Sequence, residues 1–132
     1  GIINSIEFIQ YKKNFEDHLN EYKKIDIALD TFPWNGVTTS FEAIWMGVPV
    51  LTMKGFNFNS RCGESINQNL GFNKLIADSQ QDYVQKATSL AENEKKLKQF
   101  RDQIFEDALL SPLFNTKDFS NDFFSTLEKF YN

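Results

Sequence analysis

Residues 26–52 read DIALDTFPWNGVTTSFEAIWMGVPVLT, and this stretch decides the fold. Asp26–Asp30 and Pro49–Met53 are short apolar runs beside turn signals, a pattern typical of parallel strands that are buried on both faces. Thr38–Met46 lies between them and has the spacing of a helix that packs on more than one side. Gly47 suits the C-terminal end of that helix. The stretch therefore predicts a strand–loop–helix–strand unit.

The loop before this helix carries an Asn35-Gly36 turn that leads directly to Thr38 and Thr39. Either threonine would serve as the N-cap, and the free N–H groups of the first turn would face the loop together with the positive end of the helix dipole. This arrangement suits an anionic group such as a diphosphate. Glu42, in the first turns, suits the hydroxyls of a ribose. The same residues also make an ordinary turn, cap and first-turn acid, so both interpretations stay open.

The rest of the chain predicts further strands and helices around this unit. A chain of 132 residues fits one domain and can bury a fair core. The sequence shows no internal repeat and no low-complexity linker. The predicted strands are Ile6–Ile9, Asp26–Asp30, Pro49–Met53 and Leu75–Ala77. The predicted helices are Asn14–Lys24, Thr38–Met46, Arg61–Asn69, Gln81 to about Asn93, Glu94–Leu109, and Asn115 or Thr116 to Tyr131.

Composition narrows the class of protein. The formal net charge is -4 and no basic stripe stands out, which argues against a nucleic-acid partner. No apolar run approaches the roughly 20 residues that a membrane-spanning helix needs, and no signal peptide is visible. The single cysteine, Cys62, cannot form an internal disulfide and fits a reducing compartment. We therefore expect a cytoplasmic domain that binds neither nucleic acid nor membrane.

The chain resembles the O-linked N-acetylglucosamine transferase family, including its SPINDLY-type and bacterial tetratricopeptide-linked members. The resemblance implies a Rossmann-like parallel sheet flanked by helices, namely the C-terminal part of a two-domain GT-B catalytic unit. Residues 1–132 are then expected to form one partial donor-nucleotide-binding domain with long C-terminal helices. The likeness covers about residues 6–131, and its motifs are Asp26–Thr52, Gly55, Ser60-Arg61, Leu70-Gly71, Leu75–Ala77 and Ser111–Lys117.

The resemblance also implies a reaction, the inverting transfer of a sugar from a UDP-N-acetylglucosamine-type donor to a Ser or Thr hydroxyl of a protein. The catalytic base, the phosphate-binding lysine and the repeats that recruit the acceptor would lie upstream of Gly1. We therefore expect no catalytic residue in this chain and no activity from it alone. The chain contains no Asp-x-Asp pair, which agrees with a metal-independent reaction that needs no cofactor.

The implied donor site joins the phosphate loop to a pocket for the nucleoside. His18 would line that pocket, and a backbone group of Lys13 would meet the edge of the base. Phe15 and Glu21 stand where relatives have lysine and arginine, and Val37 stands where they have histidine or threonine, so Val37 can act only through its backbone N–H. The implied site consists of Lys13, His18, Asn35, Gly36, Val37, Thr38, Thr39 and Glu42.

Two alternatives stay open. The same scaffold could take GDP-fucose or UDP-glucose, or the departures from the family pattern could mark a non-catalytic Rossmann-like interaction module.

A structural expectation follows from the doubly wound strand order, in which two strands would separate Ile6–Ile9 from Asp26–Asp30. Because those two strands are not in this sequence, we expect self-association across the free edge of Asp26–Asp30, or movement of Ile6–Ile9 into the gap.

Overall fold

The computed structural model describes residues 5–131, which build a three-stranded parallel sheet with helices around it. The strands are β1 (Ala28–Leu29), β2 (Val50–Met53) and β3 (Ile76–Ala77), in the order β1-β2-β3. Ala28 pairs with Val50, and the other half of β2 pairs with β3. The sheet confirms the predicted Rossmann-like class and three of the four predicted strands.

The helices also follow the sequence-based prediction closely. The break near Asn93 is confirmed, because the Asn93 side chain accepts the Lys96 N–H at 3.0 Å and caps the second of two separate helices. Short 3-10 turns occupy residues 22–24, 59–61, 73–75 and 112–114. The helices are α1 (Phe15–Glu21), α2 (Thr38–Trp45), α3 (Cys62–Asn69), α4 (Gln80–Ala91), α5 (Glu94–Leu110) and α6 (Thr116–Tyr131).

The core lies between the sheet and helices α2, α3 and α5. All four residues of β2 are buried, as its continuous apolar run predicts for a central strand. Gly47 and Gly71 both have positive φ and end α2 and α3, a conformation in which glycine carries no steric penalty. The buried apolar cluster consists of Ala43, Ile44, Val48, Val50, Ile66, Leu70, Ile104 and Ala108.

The prediction for Ile6–Ile9 is wrong, because these residues form no strand and are exposed. They do not move beside β1, and no residue between 5 and 131 pairs with the outer edge of that strand. The physical reason is that a four-residue run without a neighbouring strand has no partners for its N–H and C=O groups. The outer edge of β1 therefore has no partner strand among residues 5–131, and its residue Leu29 is 58% exposed.

Over the described range, no helix is both long and apolar enough to cross a bilayer.

Candidate functional site

Asp30 organises the loop that follows β1. Its Oδ1 accepts the Gly36 N–H at 2.7 Å, and its Oδ2 accepts the Thr52 hydroxyl at 2.7 Å. The Tyr83 hydroxyl donates to the Asp30 carbonyl oxygen at 2.9 Å. Burial raises the pKa of the Asp30 carboxyl, although the Gly36 and Thr52 donors act in the opposite direction. The carboxylate thus ties the glycine turn to the carboxyl ends of β1 and β2.

Asn35 lies inside this loop rather than at its surface. The side chain is 3% exposed; its amide nitrogen donates to the Thr31 carbonyl at 2.9 Å, and its oxygen accepts the Gly63 N–H at 3.3 Å. A Cβ at Gly63 would collide with Thr52 and with the Asp30 carboxylate, so α3 can approach the loop this closely only through a glycine. The structure therefore places Asn35 as a link between the loop and α3, while its predicted contact with a ligand stays a prediction.

Helix α2 begins with its N-terminal end open. The N-cap is Val37, whose carbonyl accepts the Phe41 N–H at 3.0 Å. The prediction of Thr38 or Thr39 as N-cap is wrong, because Asp30 holds Gly36 so that both threonines already lie in the first helical turn. Between residues 5 and 131, no side chain caps this end, and the threonine side chains are exposed.

The neighbouring Gly36 shapes this end of the helix without offering its own N–H. That N–H is taken by Asp30, and a Cβ at Gly36 would collide with the Thr39 hydroxyl. The backbone N–H groups of Val37, Thr38 and Thr39 have no hydrogen-bond acceptor among residues 5–131. They lie at the positive end of the α2 dipole.

A second cluster joins α1 to α2 beside the loop. The Nε2 atom of His18 lies 3.0 Å from Oε2 of Glu42, and the Tyr22 hydroxyl donates to the same oxygen at 3.0 Å. An imidazole nitrogen at this distance from a carboxylate carries the proton, which leaves Nδ1 as the other polar atom of the ring. His18 and Glu42 were both predicted to lie on the nucleoside side of the site. The structure brings them together although they are 24 residues apart in the sequence.

Tyr22 was missed as a site residue because its helical position predicts an inward-facing core side chain. The signal that could have identified it is its spacing of four residues from His18, which puts both side chains on one helix face. The two rings are 5.7 Å apart in an edge-to-face arrangement. Burial, together with the hydrogen bond and the charge of Glu42, raises the pKa of Tyr22 to about 12.

The remaining predicted contacts lie at the start of α1. Lys13 is exposed in the segment before the helix. Phe15 is exposed, with its ring 6.3 Å from that of His18. Glu21 pairs with Lys12 at 3.3 Å and Lys24 at 2.8 Å, so its carboxylate is held by lysines rather than by the His18–Glu42 cluster.

A cavity of about 190 Å³ lies beside the loop. It reaches from Tyr22 past the residues of β1 to the glycine turn and the first turn of α2. Within the described part of the chain, no three His, Cys, Asp or Glu side chains lie close enough to hold a metal ion. The cavity is lined by Tyr22, Ala28, Leu29, Asp30, Thr31, Gly36, Thr39, Ser40 and Val50.

The sheet and its helices define a Rossmann-like domain, and the open end of α2 with the adjacent carboxylate cluster forms a candidate nucleotide site. Comparison with known proteins supports the class of fold. Residues 5–123 match the model of glycosyl transferase family 41. A probable UDP-N-acetylglucosamine–peptide N-acetylglucosaminyltransferase SPINDLY of Petunia hybrida is 37% identical over 110 residues, which are 83% of this chain. The UDP-N-acetylglucosamine–peptide N-acetylglucosaminyltransferase of Caenorhabditis elegans is 32% identical over 107 residues, 81% of this chain.

A solved structure of a mutant Thermobaculum terrenum O-GlcNAc transferase superimposes with a TM-score of 0.72 and 34% identity over 87% of this chain. The chain belongs to glycosyltransferase family 41, and its fold is that of the C-terminal part of a GT-B catalytic unit. It spans 12% of the length of the petunia relative, 9% of the nematode relative and 21% of the solved chain.

Proposed function

We propose that this chain is the donor-binding part of an inverting protein O-glycosyltransferase that transfers N-acetylglucosamine from UDP-N-acetylglucosamine to Ser or Thr. The observation that carries the proposal is the uncapped N-terminal end of α2, which lies beside the His18–Glu42 pair. The names of the petunia and nematode relatives supply the donor and the peptide acceptor by analogy.

The loop side of the site would bind the diphosphate. Backbone N–H groups of Val37, Thr38 and Thr39, together with the two threonine hydroxyls, offer donors at the positive end of a helix dipole. Breaking the sugar–phosphate bond leaves a growing negative charge on the diphosphate, and donors already fixed in place stabilise that charge without reorganising. Asp30 supports this by holding the turn through the Gly36 N–H.

The α1 side of the site would bind the nucleoside. Glu42 offers carboxylate oxygen to the ribose hydroxyls, and His18 presents its ring and its Nδ1 atom to the ribose or base. Lys13 would contribute a backbone group at the edge of the base. Since Glu21 is engaged by two lysines, we do not assign it a contact with the donor.

The proposal assigns no catalytic base to this chain. The base, the phosphate-binding lysine and the regions that recruit the protein acceptor are expected from segments outside these 132 residues, so the chain by itself would be inactive. The reaction is proposed to need no metal, with helix N–H groups taking the role that a divalent cation has in other transferases. A cytoplasmic location is part of the same proposal, supported by the single cysteine.

We further propose self-association of the isolated chain through the outer edge of β1. That edge is unpaired among the described residues and carries the exposed Leu29. Unpaired strand edges template pairing with other chains. Light scattering over a range of concentrations tests this, and Leu29→Lys, which places a charge on the edge, should shift the chain to monomer. A monomer at every concentration would contradict it.

The test of donor binding is an NMR titration of the labelled chain with UDP, with GDP as the control nucleotide, in EDTA. Selective shifts at Gly36, Thr38, Thr39 and Glu42 with UDP support a metal-free uridine diphosphate site. A preference for GDP would favour a fucose donor, and a response only after Mg²⁺ is added would contradict metal independence. Absence of any response in the complete translated protein that contains residues 1–132 would favour a non-catalytic module.

A further inference from the structure

Tyr22 contacts three of the residues of the candidate site: Glu42, Thr39 and His18. Its hydroxyl lies 3.0 Å from Oε2 of Glu42 and 3.4 Å from the Thr39 carbonyl oxygen, and its ring packs edge-on against His18. A phenol has one proton to donate, and the shorter contact gives it to the carboxylate. Tyr22 thereby reaches the nucleoside-side residues and the first turn of α2 from a single position.

Both groups that hold Glu42 meet the same oxygen. His18 and Tyr22 each contact Oε2 at 3.0 Å, and no hydrogen bond from residues 5–131 reaches Oε1. Two donors, one from α1 and one from the turn that ends it, converge on one oxygen and restrict rotation of the carboxylate. The carboxylate then presents Oε1 as a fixed acceptor, which is what discrimination of a ligand hydroxyl requires.

We propose that Tyr22 is a positioning residue that orients the Glu42 carboxylate so that Oε1 accepts a hydrogen bond from the ribose of the bound nucleotide. The inference rests on the proposed donor site and adds a residue outside the implied site to it. Tyr22 does not touch the nucleotide in this arrangement; it acts through Glu42. Because the pKa of its phenol is about 12, Tyr22 remains a donor throughout the neutral range.

The test compares two nucleotides in the complete translated protein that contains residues 1–132. Isothermal titration measures the affinity for UDP and for 2′,3′-dideoxyuridine diphosphate, which lacks the ribose hydroxyls. Tyr22→Phe keeps the ring and removes the donor, so UDP affinity should fall about fivefold to tenfold, the scale of one lost hydrogen bond. The affinity for the dideoxy nucleotide should not change. Tyr11→Phe, at a tyrosine that is 90% exposed, is the matched control and should change neither affinity.

A second measurement needs no ligand and does not depend on the Tyr22 variant. Glu42→Gln removes the negative charge beside the phenol, so the pKa of Tyr22 should fall from about 12, as followed by NMR of the tyrosine ring carbons. An unchanged Tyr22 titration would overturn the contact on which the proposal depends.

The outcomes separate the two proposals. Equal UDP affinity in the unaltered protein and in Tyr22→Phe overturns the role of Tyr22 and leaves the nucleotide site in place. An equal loss for both nucleotides also overturns it, because the effect would then not pass through the ribose. If the unaltered protein binds no UDP, the proposed donor site itself is wrong.

Discussion

Helices α2 and α6 are both amphipathic, yet the fold uses them in opposite ways. In α2, Ala43 and Ile44 are buried in the core. In α6 no residue is buried, and its aromatic face, which includes Phe119, Phe123 and Phe130, is exposed. The comparison shows that apolar periodicity predicts a helix in both places but does not predict whether a partner surface covers it. The candidate site depends on the helix that is covered.

The largest expected effect distinguishes the two helices directly. Ile44→Ala should lower the free energy of unfolding by about 3 kcal/mol, because Ile44 is fully buried and its truncation leaves a cavity. Phe123→Ala in α6 should change it by less than about 0.5 kcal/mol. Urea denaturation of the two variants measures the difference. Comparable losses would show that α6 is packed in solution and would remove the contrast.

A smaller effect is expected at the loop that α2 depends on. Asp30→Asn should cost about 1–2 kcal/mol, because an amide cannot accept hydrogen bonds from both the Gly36 N–H and the Thr52 hydroxyl on two oxygens. Hydrogen exchange at the Gly36 N–H should become faster. Asp102→Asn, at an exposed position of α5, is the control and should alter neither quantity. Unchanged protection of Gly36 would rule out the clamp.

Two helix caps sharpen the comparison further. Asn93 caps α5 and Asn115 accepts the Asp118 N–H at 3.1 Å at the start of α6. Replacing either asparagine with alanine should cost about 1 kcal/mol of helix stability. The Asn93→Ala change should appear in the global unfolding transition, since α5 packs on the core, whereas the Asn115→Ala change should appear only as faster hydrogen exchange at the beginning of α6. A shift of the global transition by Asn115→Ala would contradict this.

The last effect is confined to alkaline pH and is absent in the neutral range. Burial, with a contribution from the charge of Asp30, raises the pKa of Tyr83 from 10.0 to about 12. The folded chain therefore holds this proton more tightly than the unfolded chain, so the contribution to stability is complete below pH 10 and is lost as pH rises toward 12. Thermal melts of Tyr83→Phe should show a weaker decline across this interval than melts of the unaltered chain. Tyr11→Phe serves as control, and identical declines in all three chains would contradict the prediction.

The sequence predicted the central unit well because its signals are local. Asp26–Asp30 and Pro49–Met53 are apolar runs between turn residues, and the structure contains β1 and β2 inside them. The run Ile6–Ile9 has a comparable pattern but forms no strand. A strand needs an adjacent strand to pair with, and the local sequence does not show whether one is present. Whether another surface packs on α6 is likewise not determined by the sixteen residues of that helix.

The candidate site was predicted less completely than the fold. His18 and Glu42 were both expected at the nucleoside; they lie 3.0 Å apart, and their contact with a nucleotide stays a prediction. The N-cap of α2 was misplaced by one or two residues, because the contact of Gly36 with Asp30 sets where the helix begins. Tyr22 was missed because its helical position predicts a core side chain, and its contact with Glu42, 20 residues away, follows only from the tertiary fold.

The bond between Asp30 and Thr52 joins the loop to the pairing of β1 with β2. Successive residues of a strand point to opposite faces, so a slip of one position would turn Thr52 away from the carboxylate. A mispaired sheet would then lose the hydrogen bond that joins the Asp30 carboxylate to β2. The same carboxylate holds the glycine turn, so full support of the turn and correct alignment of β1 with β2 form together.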